Sequence, residues 1–343
     1  MAIDLYSPRV MQAALREMKP PRAFLRSLFF GGAPKLSDRE TIDIDVQTSA
    51  RRAAEFSNRK GPGKAVDREG FTTHHFTPPN VAPKMAVTVE DMQTRLPGEH
   101  VYSERSADDR ARALLGQDLA TLDDLIARRE ELMVRDALVS GSIDCSGDDV
   151  AQTITLPARH ASLTIGTLAA GDRWNAGTAQ ILRDLRAWRR AIAAQCGLTA
   201  DVLILGYEAI DALLADEGVR LTLDNRRMDM GQIGPQLLNS GATYVGRLQM
   251  IDIWGYEELD ASGNPLISSK SALMGCTQAD CRLCYGAVGV ADDAAKRISL
   301  VPAARVPESW VEREPAVRWL KVSSRPLPIP IQVNAFLTAT VLA

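Results

Sequence analysis

The sequence is poor in the residues on which most enzyme chemistry depends. Four histidines and five cysteines are spread over 343 residues, and an odd cysteine count in a long chain argues against a secreted disulfide framework. No G-x-S-x-G elbow, H-E-x-x-H helix or dinucleotide fingerprint occurs, so the commonest hydrolase, metalloprotease and nucleotide signatures are missing. Gly61-Pro-Gly63-Lys64 superficially suggests a phosphate loop, but the G-x-x-x-x-G-K-[ST] spacing is absent and Ala65 follows the lysine. A long basic run is lacking too. The 40 basic and 43 acidic residues are interleaved and leave a net charge of −3, which is not the balance of a tight nucleic-acid binder. Pro326 to Ala343 carries no charged side chain, but Pro326, Pro328, Pro330, Gln332 and Asn334 interrupt it. It therefore reads as a buried strand over 331–342 and not as a membrane helix. The first residues lack the basic-then-apolar pattern of a signal peptide. The expectation is a soluble, cytoplasmic chain without membrane contact.

What is present is the composition of a globular protein, 45% apolar and 24% charged, long enough for roughly two domains. Its most unusual stretch runs from Asp38 to Glu99. Thr41 to Gln47 alternates apolar and polar residues, the period of a half-buried strand. The return limb, Phe71 to Lys84, carries three prolines. Between them lies a basic tip, where Arg51, Arg52, Arg59, Lys60 and Lys64 face one acid, Glu55. Two strands joined by such a tip make a ribbon, and an isolated two-stranded ribbon is marginal in water. The arm therefore requires support from outside its own domain. So small a basic cluster would hold nucleic acid only weakly, and an acidic patch on another subunit suits it better.

Before the arm, Val10, Met11, Ala14, Leu15 and Met18 recur at helical spacing, and Pro20-Pro21 ends that helix. Phe24, Leu25, Leu28, Phe29 and Phe30 follow and must be covered, either by the parent domain or by a neighbouring subunit. After the arm come a strand at Met85–Val89 and a helix from about Glu104 to Val139, on which Ala111, Leu115, Leu119, Leu122, Ile126, Met133 and Ala137 mark one face. Its charged residues, including Asp123, Asp124, Glu130 and Glu131, are read as a solvated or subunit-facing side. At 1.5 Å per residue this helix spans about 50 Å and braces the structure. Further strands are expected at 152–156, 162–167, 201–206, 242–248, 249–256 and 271–274, with helices at 176–196 and 208–215.

Cys276, Cys281 and Cys284 include a C-x-x-C pair, but a second knuckle is missing and the histidines (His74, His75, His100, His160) lie far away in sequence. Core packing of these thiols is the expected outcome, with a metal-binding soluble enzyme as the alternative. Adjacent residues of a strand point to opposite faces, so His74 and His75 do not suit one metal. No catalytic residue and no cofactor is assigned.

The run Phe76-Thr-Pro-Pro-Asn-Val-Ala-Pro-Lys84, then Leu96-Pro-Gly-Glu99 and a long charged helix, resembles the phage major capsid protein E family, the shell proteins of lambda-type tailed phages. The ending, Pro307-Glu-Ser-Trp-Val311 and a charge-free terminal stretch, is similar too. The resemblance implies the α+β shell fold of tailed phages and herpesviruses, of Hong Kong 97 type. Its parts would be an N-terminal arm (1–36), an extended loop (37–84), a peripheral domain (85–197) with a spine helix at 104–140, an axial domain (198–300) and return strands (301–343). It implies hexamers and pentamers forming the icosahedral head of a virion around double-stranded DNA, assembled in the host cytoplasm and matured by expansion. With no long helical extension before the arm, a separate scaffolding protein is expected. A portal, a decoration protein and non-covalent locking of the shell are implied partners and properties. An encapsulin-like compartment is the alternative within the fold.

Overall fold

Periodic apolar stretches fold as helices and alternating ones as strands in the computed structural model, which describes residues 6–18, 23–47, 71–93, 107–147, 150–224, 231–237, 241–260, 262–292, 297–314 and 316–343. In chain order these form α1 (Pro8–Glu17), α2 (Phe24–Phe29), β1 (Lys35–Leu36), β2 (Ile42–Gln47), β3 (Phe71–Phe76), β4 (Lys84–Thr88), α3 (Val89–Gln93), α4 (Ala107–Val139), β5 (Ser142–Gly147), β6 (Val150–Thr155) and β7 (Thr164–Thr167). Then come α5 (Ile181–Cys196), β8 (Val202–Leu205), α6 (Tyr207–Ala215), α7 (Glu217–Asp224), β9 (Gly231–Leu237), β10 (Ala242–Leu248), β11 (Ile251–Tyr256), β12 (Ser271–Gly275), β13 (Cys281–Tyr285), β14 (Val288–Asp292) and β15 (Arg297–Val301). The chain closes with β16 (Val306–Glu312), β17 (Val317–Ser323), β18 (Pro326–Pro330) and β19 (Leu337–Thr340).

The largest sheet has the order β7-β19-β12-β8-β11-β10-β9. Its central strand β8 is wholly apolar and buried on both faces, as a strand covered from both sides requires. On one face Leu203 and Leu205 pack with Leu185, Trp188 and Ile192 of α5. On the other, Val202 and Ile204 share a core with Phe24 and Phe29 of α2 and with Val134 and Leu138 of α4. The 33-residue helix α4 is the spine. Its first half packs under the sheet β16-β17-β4 and its second half under β1-β13-β18. It stops where Ser140-Gly141 predicts, with Gly141 at φ +72. The Arg159 guanidinium donates to the terminal carbonyls of Ala137 and Leu138, and burial pulls its pKa down to about 10.

Three expectations need correction. The strand expected at 249–256 begins only at Ile251, because Gln249 and Met250 form the turn between β10 and β11 at φ +50 and +66. Neither residue has turn chemistry. Helix α5 braces the turn from outside, with Arg189 Nη1 donating to the Gln249 carbonyl (3.1 Å) and Arg186 Nε to its side chain (3.2 Å). Of the terminal strand expected at 331–342 only β19 forms, after a short 3₁₀ turn at Val333–Ala335, and the strand before that turn, β18, lies outside the expected range and in a different sheet. Prolines can occupy β18 because they alternate. Proline removes every second amide, leaving those of Leu327 and Ile329 for the ladder to β13, and β18 lies at the sheet edge, where the opposite side needs no donor. Finally, β5 pairs with β6 as a hairpin that its polar sequence did not announce, and the helix expected at 176–196 begins only at Ile181.

Candidate assembly interface

The short arm helix α2 begins without a side-chain cap of its own: Ala23 occupies the cap position. The first amides of a helix have no internal partners and carry its positive dipole end. Glu131 of the spine, 105 residues or more away, supplies the partner. Its carboxylate accepts from Leu25 N at 2.7 Å and Arg26 N at 3.0 Å, and the Tyr256 hydroxyl donates to it at 2.9 Å. Burial is the largest influence on this carboxyl and raises its pKa above the ordinary value, against the opposing pull of these hydrogen bonds. Burial and the neighbouring Glu131 likewise push the Tyr256 hydroxyl upward.

One position along, Glu130 is fully buried and accepts from three side chains. Arg26 Nη1 approaches at 2.8 Å, Arg305 in bidentate fashion at 2.7 and 3.2 Å, and the Tyr285 hydroxyl at 2.9 Å. Arg305 reaches on to Asp123 at 2.6 Å. Asp123 and Glu130 are seven residues apart, two turns of helix, and so lie on one side of α4. Burial works against the Arg305 charge, but Glu130 more than offsets it and holds the guanidinium above its usual pKa. These bonds lock the arm helix to the spine and the spine to the segment leading into β16.

The expectation of a solvated charged face is therefore wrong for Asp123, Glu130 and Glu131. A signal was present: the apolar stripe Leu119, Leu122, Ile126 resumes only at Met133, and Glu130 fills the missing step. The arm aromatics are covered by the parent chain. Phe24, Phe29 and Phe30 are buried and Leu28 is partly so. Phe29 meets Phe336 edge-on at 5.0 Å. Gly275 makes that fit possible, since a Cβ there would stand 3.0 Å from the Phe29 ring.

The ribbon exists, with β2 and β3 antiparallel from Ile42↔Phe76 to Gln47↔Phe71. Its base is not unsupported. Ile42, Ile44 and Phe76 are buried against Met133 and Ala137 of the spine and Ile143 and Ile154 of the following hairpin. Arg325 ties down both limbs, donating to the Pro78 carbonyl (3.2 and 3.3 Å) and pairing with Glu40 at 3.4 Å. Gly286 lets the limbs close on the body, because a Cβ there would lie 3.2 Å from the Pro78 ring and 3.3 Å from the Glu40 carbonyl. Across the exposed ribbon, His75 Nδ1 and Asp43 are 2.7 Å apart. The tip residues Arg51, Arg52, Arg59, Lys60 and Lys64 lie outside the described residues, as does His100. Cys276 and Cys284 pack in separate cores and Cys281 is partly buried; burial raises all three thiols, Cys281 to about 12. Among the described residues no helix is long and apolar enough to cross a membrane.

The arm, the ribbon held at its base and the spine helix that joins both to two sheets form one connected framework, and residues 7–341 match the family described as phage major capsid protein E. The chain belongs to that family. It is 23% identical to the major capsid protein of Escherichia phage lambda over 286 residues, which is 80% of this chain and 82% of that protein. It is 25% identical to that of Enterobacteria phage phi80, with the same coverage. Among solved structures, a prophage protein of E. coli CFT073 described as a capsid protein superposes with TM-score 0.71, 17% identity and full coverage of both chains. The capsid of Ralstonia phage GP4 gives TM-score 0.52 at 12% identity over 92% of this chain and 88% of that one. The fold is thus the Hong Kong 97-like shell fold, α+β in class. As a family member the chain is a major capsid protein of a tailed phage, a structural and non-enzymatic component of the virion shell.

Proposed function

We propose that this chain assembles as hexamers and pentamers into an icosahedral head that encloses double-stranded DNA and matures by expansion, after assembly in the host cytoplasm. The observation that supports this reading is the anchored base of the ribbon. That base is held by Arg325, Gly286 and the Ile42–Ile44–Phe76 cluster, and the residues joining the two limbs, 48–70, lie outside the described residues. A ribbon fixed at one end is suited to present its other end, with Arg51, Arg52, Arg59, Lys60 and Lys64, to an acidic surface of a neighbouring copy. The arm would comprise 1–36, the extended loop 37–84, the peripheral domain 85–197 with return strands 301–343, and the axial domain 198–300. A scaffolding protein, a portal and a decoration protein complete the set of partners. The net charge of −3 supports a container that touches packaged DNA only weakly. Locking is non-covalent in this reading, so mature shells run as single chains on a reducing denaturing gel, and a ladder of covalent oligomers refutes that part.

Deleting residues 51–64 tests the clasp. The expected result is a folded subunit with unchanged circular dichroism that yields no closed shells by negative-stain microscopy. Normal shells from that variant would remove the loop's role.

A further inference from the structure

The hairpin β14–β15 forms a two-stranded sheet of its own, hydrogen-bonded to no other strand among the described residues. One of its faces does what a small ribbon must. Val288 is buried, and Val290 and Val301 pack beside it against Ala303 and Val306. The other face is apolar as well, yet nothing among the described residues covers it. In register, Gly289 stands opposite Leu300 and Ala291 opposite Ile298. Ile298 is 83% exposed and Leu300 51% exposed. An antiparallel ribbon with one solvated face ordinarily alternates apolar and polar residues, and apolar exposure on both strands of one face marks an interaction surface.

The shape of the patch names its occupant. One strand presents two bulky side chains, the other a glycine and an alanine, and space is open where a Gly289 Cβ would stand. A ridge beside a hollow on the same ribbon is complementary to itself after a two-fold rotation. The ridge of one copy then enters the hollow of the other and the reverse, which is the isologous arrangement. We infer that the outer face of β14–β15 docks on the same face of a second copy of this chain, Ile298 and Leu300 of each seating on Gly289 and Ala291 of the other. The two ribbons would pack as sheets face to face, about 10 Å apart, and a ribbon marginal alone would gain its second cover. This rests on the shell reading, because a closed icosahedral shell brings copies together across two-fold axes.

The test uses the full chain. The double variant Ile298→Asp/Leu300→Asp alters only exposed side chains, so it is expected to keep the subunit's circular dichroism and melting temperature while shell yield falls at least tenfold by microscopy and sedimentation. In the second arm, chains carrying Ala291→Cys are co-assembled with chains carrying Ile298→Cys and treated with a short bismaleimide, because facing sheets about 10 Å apart are too far for a disulfide, beside the unaltered chain as control. The expected product is a bismaleimide-linked dimer joined through positions 291 and 298, identified by mass spectrometry of the linked peptides. Shells from the double variant at unaltered yield overturn the contact. So does loss of shells without the 291–298 link, which assigns the patch to a different occupant. Either result leaves the shell reading intact, whereas failure of the unaltered chain to form shells overturns that reading and this contact together.

Discussion

The two arm helices dock on opposite halves of the same spine by different physics. Helix α1 lies on the first half through aliphatic contact: Met11 and Leu15 bury against Leu115, Leu119, Leu122 and Ile126, with Leu320 and Val322 from the sheet beside them. Helix α2 lies on the second half through apolar contact and directional bonds together, with its aromatic side chains in the core and its amides on Glu131. Aliphatic contact is non-directional and indifferent to pH. A carboxylate that caps a helix fixes one orientation and responds to protonation. The arm is thus attached by non-directional contact at one point, the sliding end, and by a keyed joint at the other.

The largest expected effect lies at the keyed end. Arg305→Ala leaves Glu130 buried with its chief counter-charge gone, and breaking such a pair costs about 3–5 kcal/mol. Equilibrium denaturation of the unassembled subunit measures it, and a loss below 1 kcal/mol would mean that Arg26 and Tyr285 suffice for Glu130. At the sliding end, Met11→Ala opens a cavity in a fully buried site and should cost about 2–5 kcal/mol. The comparison requires that this cost be equal at pH 5 and pH 7, and a marked pH dependence would break it.

Glu131→Ala comes next, with a loss of about 1–3 kcal/mol from the unpaired amides and hydroxyl. Hydrogen exchange should show Leu25 and Arg26 amides losing protection while those of α1 keep theirs. Equal loss in both helices would show that the arm detaches as one unit. The smallest effect is the pH slope. Because burial raises the folded-state pKa of Glu131 above its unfolded value, the folded state holds the extra proton between those two values. The associated stability is fully present below the ordinary carboxylate range and lost as pH rises through the folded value. The difference between the parent chain and Glu131→Ala should therefore grow in favour of the parent as pH falls through that window. A difference that is flat with pH would place the carboxyl in an ordinary environment.

Much of the architecture was legible in the residue pattern. The spine helix, its stop at Ser140-Gly141, the ribbon limbs at 42–47 and 71–76 and the strands 202–205, 242–248 and 271–275 follow from local periodicity and end signals. What escaped had its cause elsewhere in the chain. The Gln249-Met250 turn has no glycine, asparagine or proline, and Arg189 and Arg186 of α5 brace its backbone and its Gln249 side chain. Strand β18 reads as a break because three of its five residues are proline, and only its position at a sheet edge makes that tolerable. The support beneath the ribbon was equally hidden, since Gly286 and Arg325 act on limbs more than 200 residues earlier in sequence.

Residue order alone determined which segments are helix and strand, which carry apolar faces, and to which family the chain bears resemblance, because those properties depend on neighbours within a few positions. Tertiary structure alone decided the fate of the charges. Asp123, Glu130 and Glu131 belong to a charge-rich stretch that looks solvated from its composition. Glu130 and Glu131 are buried and Asp123 is half-buried, because Arg305, Arg26, Tyr256, Tyr285 and the open end of α2 converge on them from distant parts of the chain. The cost of burying a carboxylate depends on which partners the fold brings to it, and helical spacing carries no record of those partners.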